Sequence, residues 1–439
     1  MYSTRLALLG GSPVRSRPFS PWPLFQPSDL ERLQRVVESR HWGGFPLPTP
    51  LAAEFGERFA AMHGAKYALC LANGTIAISA ALQALGIGFG DEVIVPAYTW
   101  DGTATAALVV GAVPVFVDVN PDTYCLDVDQ VAAALSPRTK AILPVHLALR
   151  FTDMDKLMAL AKKHNLVVVE DCAHAHGGKF QGRGAGAAGD AGTFSFQESK
   201  LMTGGEGGLV LTSRLDCYEA LQSIVNCGRK SLTDQFKRRM LGLNYRMTDL
   251  QLALLLGQLD TLPELRAKRT QQTLRLSQAL AAIPGVRPLP EQPGIDQHTI
   301  YNYVFQYRPT GPAPARDLFV AALEAEGVPS DGRFYEPVYR SDLFYATPEN
   351  CPQLRLERDQ PVDYSKCRCP VSERAAYEES VWLPQFLLLG DERDVQDIAD
   401  AIAKVVDNLE ALSMADPKLA GNKALSRAER PRTERKKNY

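Results

Sequence analysis

Between Tyr67 and Val169 the chain repeats one pattern: a short apolar run rich in β-branched residues, a turn, then a stretch with helical spacing. Tyr67 to Leu71 leads into Ile76 to Leu85, Asp91 to Val95 into Thr103 to Gly111, and Val113 to Val119 into Val128 to Leu135. Ala141 to Val145 leads into Asp153 to His164, and Leu166 to Val169 opens the next unit. Strands that are apolar on both faces need cover on both faces, and strand–helix repeats supply it by laying the strands parallel with right-handed crossovers. The pattern predicts an α/β protein with a mainly parallel, doubly wound sheet.

Open sheets of this kind hold their ligands outside the carboxyl ends of the strands. Leu166–Val169 ends there on Glu170 and Asp171, and a second run, Thr193 to Phe196, is followed by Lys200 in a loop broken by Gly204, Gly205, Gly207 and Gly208. In isolation these residues are a capping aspartate and a surface lysine. Brought to one rim, they suit pyridoxal phosphate chemistry. Lys200 would hold the cofactor aldehyde, and Asp171, staying ionised, would keep the pyridine nitrogen protonated. The small-residue turn Ala72-Asn73-Gly74-Thr75 is either a plain helix cap or a place where free amides meet a phosphate. Trp100, just past the strand Asp91–Val95, is either a core tryptophan or an aromatic lying flat on a ring.

With 439 residues, 22% charged residues and a formal net charge of −2, the chain has ample core and no global field for nucleic acid or a membrane surface. A small-molecule partner is expected. The N-terminal LALL run is too short for a secretory core, and no stretch approaches the roughly 20 apolar residues of a membrane span, so a cytoplasmic location is expected. The eight cysteines are scattered, and Cys367-x-Cys369 lacks a second pair or a nearby histidine, so neither a disulfide framework nor a metal site is expected.

Four segments follow from the pattern: an N-terminal arm over 1–27, a large cofactor-binding domain over 28–265, a smaller α+β domain over 266–413, and a polar, basic tail over 414–439 expected to be disordered. Ser28 to Glu31 forms a capping-box pattern ahead of a helix that stops at His41-Trp42-Gly43-Gly44. That stop, with Trp42 and Phe45 beside it, reads equally as an active-site loop or as a helix end with a core anchor. Leu250 to Leu262 is too apolar for a water-facing helix and must be covered by the core or by a second subunit. Leu262 to Ala282 reads as a connector to the smaller domain, whose clearest strand is Tyr301 to Arg308.

The ordered motifs NGT (73–75), VIVPAYTW (93–100), VHL (145–147), VVVEDCAHAHGG (167–178), FSFQESK (194–200), GGEGG (204–208) and GLNYRM (242–247) resemble the DegT/DnrJ/EryC1/StrS family of sugar aminotransferases. The resemblance runs over roughly residues 5 to 410. It implies a fold-type I pyridoxal phosphate enzyme and a homodimer with active sites shared between subunits. By resemblance Lys200 is the Schiff-base lysine, Asp171 the partner of the ring nitrogen and Trp100 the stacking aromatic. His174 stands beside the phenolic oxygen, Gly74, Thr75 and Ser195 hold the phosphate, and Asn244 reaches that phosphate from the neighbouring subunit. FSFQESKLMTGGEGG, NCGR, RFYEPVYRSDLF and ESVWLPQFLLLG are most similar to glutamine:scyllo-inosose aminotransferases of aminocyclitol antibiotic pathways. The implied reaction is a ping-pong transfer of an amino group from glutamine or glutamate to a ketone on a cyclitol or sugar.

Two alternatives share the same site. One is a dehydratase like 3-amino-5-hydroxybenzoate synthase. The other is a nucleotide-sugar aminotransferase, for which Arg229, Lys230, Lys237, Arg238 and Arg239 would form a basic groove. The chain departs from its relatives at Ala148-Leu149-Arg150, where Arg150 is either a surface residue or a contact to an anionic substrate group.

Overall fold

The strands of the main sheet are short, largely apolar runs bounded by turn residues, and the helices at residues 50–63, 74–84, 128–134 and 154–164 begin on a side-chain cap. A computed structural model describes residues 4–44, 47–229, 239–356 and 360–425. In chain order its elements are α1 (Pro27–Ser39), α2 (Pro50–His63), β1 (Tyr67–Leu71), α3 (Gly74–Ala84), β2 (Glu92–Pro96), α4 (Asp101–Val109), β3 (Val113–Val117), α5 (Val128–Ala134), β4 (Thr139–Ile142), α6 (Met154–His164) and β5 (Val167–Asp171). A small hairpin, β6 (Lys179–Phe180) and β7 (Arg183–Gly184), precedes β8 (Ala191–Ser195), β9 (Gly208–Thr212), α7 (Leu215–Val225) and α8 (Asp249–Ala281). β10 (Val286–Pro288), β11 (Ile295–Gln297), β12 (Asn302–Tyr307), α9 (Arg316–Ala325), β13 (Ser380–Pro384) and a C-terminal helix, Glu392–Asp407, complete the frame.

The main sheet has the order β1-β9-β8-β5-β4-β2-β3. Pairs from β3 across to β8 are parallel, and β9 runs antiparallel to both β8 and β1. The expected mainly parallel sheet is therefore present, with one reversed strand near its edge. Side chains alternate across it. Val93, Val95 and Val169 pack under α3, α4 and α7, while Ile94, Ile142 and Val168 pack under α5 and α6. Phe55 and Phe59 of α2 join Phe194 of β8 and Leu255 of α8 on the second face.

Three local readings change. The cap of α1 is Gln26, whose amide N–H donates to Asp29 at 2.8 Å, with Pro27 at the first helical position; Ser28 lies inside the helix. The apolar helix and the connector are one 33-residue helix, α8, with Pro263 inside it. A proline in a helix costs about 3 kcal/mol. Packing on either side offsets that cost, because Leu252, Leu255 and Leu259 are buried against α2 and Leu276 and Leu280 in the C-terminal core. The chain thus passes position 265 without a break. Third, Pro417–Ala424 is a short 3-10 turn lying on α9, and Lys423 donates to the Ser330 carbonyl at 2.8 Å and pairs with Glu324 at 3.1 Å. This part of the tail is not loose; residues 426–439 lie outside the described residues.

The C-terminal sheet, β10-β12-β13, shares a core with α9 and the C-terminal helix through Val304, Phe305, Phe319, Val381, Ile398 and Ile402. Leu6 and Val14 of the N-terminal arm enter the same core, and buried Arg15 is clamped between Asp394 at 2.7 Å and Asp397 at 2.8 Å. Among the described residues, no helix is long and apolar enough to cross a membrane.

Candidate active site

The carboxyl ends of β5 and β8 and the N-termini of α3 and α4 surround a cavity of about 740 Å³. Gly74, Thr75, Trp100, Asp171, His174, Ser195 and Lys200 all line it, and Tyr301 and Tyr335 close it from the C-terminal part of the chain. Seven of the eight residues singled out in the sequence thus meet in one space. The eighth, Asn244, is exposed and is not among the residues lining this cavity.

Asp171 ends β5 with its carboxylate turned into the cavity. Oδ2 accepts from the Thr103 hydroxyl at 2.9 Å and Oδ1 from the Ala173 amide at 3.1 Å. Burial pushes the Asp171 carboxyl up, and the Ala173 amide, Thr103 and the Lys200 charge only partly oppose it. The group is thus less acidic here than an ordinary aspartate, and a cation opposite it would favour its ionised form. The lysine sits on a tight turn, with its own amide donating to the Gln197 carbonyl at 2.9 Å. Its ammonium lies 4.4 Å from the centre of the Tyr301 ring, whose hydroxyl meets Ser199 Oγ at 2.8 Å.

At the other end of the cavity, Asn73 caps α3 by accepting from the Ile76 amide at 2.9 Å. The amides of Gly74 and Thr75 precede the first helical hydrogen bond and open a positive helix end. A side chain at Gly74 would place a Cβ 2.7 Å from Ser195 Cβ, so glycine is what lets the Ser195 hydroxyl stand beside that helix start. Gly102 acts likewise for Trp100, since a Cβ there would fall 2.7 Å from the indole nitrogen. His174 is buried and stacked on Tyr301 at 3.9 Å between ring centres. Its Nδ1 accepts from the Ala148 amide at 3.2 Å, which leaves the proton on Nε2, 3.2 Å from the Tyr335 hydroxyl.

Glu170, one residue earlier, leaves the site. Its carboxylate turns to the opposite face, where His146 Nε2 approaches at 2.9 Å. Arg150 is neither on the surface nor in the cavity. It is buried and donates to the carbonyls of Leu149, Leu289 and Pro290 at 2.6–3.0 Å, tying the strand-end loop to the start of the smaller sheet. Of the basic groove considered for a diphosphate, Lys230, Lys237 and Arg238 lie outside the described residues, as does Phe45. Trp42 is half exposed, and its amide carbonyl accepts from the Asp249 N–H at 3.0 Å.

Sequence reasoning missed Thr103, Tyr301 and Tyr335. Thr103 was within reach, since it stands at the first turn of the helix that follows Trp100. The two tyrosines come from distant parts of the chain; Tyr335 lies in the RFYEPVYRSDLF segment that carries the resemblance, but neither tyrosine has a local pattern that points to the cavity.

A helix-start anion cradle, a buried carboxylate and a lysine at one rim fit the phosphate, ring nitrogen and aldehyde of pyridoxal phosphate. The fold and this cavity define a fold-type I pyridoxal phosphate-dependent enzyme. The chain belongs to the DegT/DnrJ/EryC1/StrS aminotransferase family, whose model matches residues 28–403. It is an aminotransferase that uses pyridoxal phosphate. A Streptoalloteichus tenebrarius protein named "Putative L-glutamine:3-amino-2,3-dideoxy-scyllo-inosose aminotransferase" is 44% identical, over 93% of this chain and 100% of its own length. A Streptomyces paromomycinus L-glutamine:2-deoxy-scyllo-inosose aminotransferase is 37% identical over 91% of this chain and 97% of its own. Among solved structures, 3-amino-5-hydroxybenzoic acid synthase superposes with a TM-score of 0.80 at 34% identity, covering 90% of this chain and 100% of that one.

Proposed function

We propose that this enzyme transfers an amino group from L-glutamine or L-glutamate to a ketone carbon on a cyclitol ring of the scyllo-inosose type, as part of aminocyclitol biosynthesis. The observation that carries the reading is the meeting of Lys200 and Asp171 in one cavity whose other polar lining is hydroxyl, amide and imidazole groups with one more carboxylate, Glu206. Among the described lining residues Lys200 is the only lysine or arginine, which favours a neutral polyol over a nucleotide diphosphate. The names of the relatives point to the same acceptor class.

Bound pyridoxal phosphate supplies an aldehyde carbon that takes up amines and a ring that withdraws electrons from the carbon next to it. Lys200 would hold that aldehyde carbon, and its amine, when free, would serve as the general base that moves a proton at the substrate carbon. Asp171, aligned by Thr103 and the Ala173 amide, keeps the ring nitrogen protonated. The Gly74 and Thr75 amides and the Ser195 hydroxyl would hold the phosphate, Trp100 would lie against the ring, and His174 would stand beside the phenolic oxygen. Asn244 completes the phosphate site of a partner subunit in a cytoplasmic homodimer. Its exposure, and that of Leu241 and Leu243 beside it, supports such an interface.

The test is amination of 2-deoxy-scyllo-inosose, 3-amino-2,3-dideoxy-scyllo-inosose and a nucleotide keto-sugar, followed by mass spectrometry with and without glutamine. Glutamine-dependent amination of an inosose is expected. Turnover of the nucleotide sugar alone would replace the acceptor. The 0.80 superposition on 3-amino-5-hydroxybenzoic acid synthase keeps a dehydratase as the second reading, and turnover without any amino donor would select it.

A further inference from the structure

Behind the lysine turn, α8 buries a cation that no acid among the described residues neutralises. Arg269 is 1% exposed, and its Nη1 and Nη2 have no hydrogen-bond partner among the described residues. Nε donates to Gln385 Oε1 at 2.7 Å, and the guanidinium carbon stands 5.2 Å from the centre of the Trp22 ring. At 1% exposure the guanidinium is beyond the reach of a second subunit. A buried charge without a counter-charge lowers stability, so packing alone would be better served by an apolar side chain of similar length.

What the guanidinium touches leads to the active site. Trp22, in the N-terminal arm, presents its ring to Arg269 and donates its indole N–H to the Glu198 carbonyl at 2.9 Å. Glu198 lies inside the turn closed by the Lys200 amide on the Gln197 carbonyl. The segment leading into that turn is held nearby, where His176 Nε2 donates to the Ser195 carbonyl at 2.9 Å. The charge of Arg269 contributes, after burial, Lys200 and His63, to holding that histidine neutral. One turn before Arg269, Arg266 donates to the Gly177 carbonyl at 2.8 Å, so this face of α8 runs along the strand-end loops.

We propose that Arg269 is a positioning residue for Lys200: its guanidinium seats the Trp22 ring, and the seated indole fixes the Glu198 carbonyl and with it the turn that aims the amine. The N-terminal arm thereby becomes part of the catalytic apparatus. A cation–π contact suits this task, because it orients a ring without consuming the indole N–H.

The proposal rests on the assignment of Lys200, and its test separates the two. Arg269→Met, Trp22→Phe and the double variant are compared for thermal unfolding, for amide exchange over residues 196–201 in the cofactor-free protein, and for kcat and KM with glutamine. Arg269→Met should unfold at or above the wild-type temperature, because a buried unpaired charge has gone, yet exchange in the turn should quicken by about tenfold. In both single variants kcat should fall by roughly tenfold to a hundredfold with KM nearly unchanged, as expected of a small misplacement of a reacting group. The double variant should be no worse than either single one. Unchanged exchange and kcat in Trp22→Phe, or strictly additive losses, would overturn the tether, even if Arg269→Met fails to fold. Quicker exchange alongside an active Lys200→Ala enzyme would leave the tether standing and remove the assignment of Lys200.

Discussion

Glu170 and Asp171 are neighbours on one strand, yet the alternation of β5 sends them to opposite faces and into opposite electrostatic states. On the closed face the Glu170 carboxylate takes hydrogen bonds from His146 Nε2 at 2.9 Å and from the amides of Gly186, Ala188 and Gly189 at 2.6–3.0 Å. Burial works against its ionisation, but those donors win and its pKa lies below the usual value. On the cavity face Asp171 is just as buried and accepts from Thr103 and Ala173, and there burial wins and its pKa is raised. The comparison teaches how to tell a structural acid from a working one. Glu170 is saturated by the protein, whereas Asp171 is left with capacity for a partner that the fold itself does not supply.

The largest effect should come from the cavity side. Lys200→Ala is expected to lower transamination by more than about 10⁴-fold while leaving the fold and some cofactor affinity intact, because the general base is gone. Single-turnover kinetics measures this, and a variant within tenfold of wild type would sink the assignment. Asp171→Asn should cost about 10²- to 10⁴-fold in kcat with little change in melting temperature, since the proton on the ring nitrogen loses its partner. The closed-face acid should behave inversely. Glu170→Ala leaves four donors, two of them fully buried, without an acceptor and should lose on the order of 3–5 kcal/mol of unfolding free energy, with kcat of the folded fraction nearly unchanged. If Glu170→Ala were stable but inactive and Asp171→Asn unstable but active, the division between the two faces would be reversed.

The same division explains what was legible in the sequence. β-branched runs, turn residues and their spacing are local, so the sheet, its strand ends and the arrival of Asp171 and Lys200 at one rim could be read directly. Gly74 and Trp100 kept two readings until the family resemblance, and Ser195 came from that resemblance alone. The sequence puts two acids at this strand end and sets Asp171 against the ring nitrogen, but the donors that saturate Glu170 come from residue 146 and residues 186–189 and carry no local signal. Tyr301 and Tyr335 reach the cavity only through the packing of the C-terminal part against the large sheet, and Arg150 through its grip on the Leu289 and Pro290 carbonyls. The role proposed for Asn244 requires a second chain, so it is written into neither the local pattern nor one protomer.

The closed face also predicts an acid sensitivity separate from catalysis. His63 is buried between the Phe59 carbonyl, 3.0 Å from Nδ1, and the Gly177 amide, which donates to Nε2 at 3.0 Å. One ring nitrogen must donate and the other accept, so the fold requires the neutral ring, and burial lowers its pKa from 6.5 to about 4. Between those values the unfolded chain binds a proton that the folded chain refuses, so stability falls as pH falls through this window and is fully present above it. The difference is worth roughly 3 kcal/mol. His63→Gln can donate to Phe59 and accept from Gly177 without titrating, so denaturant melts of the two proteins should converge as the pH is lowered from 7 to 4. Parallel curves would mean that His63 is already charged in the folded protein, and that the loop after Asp171 is held by something other than this ring.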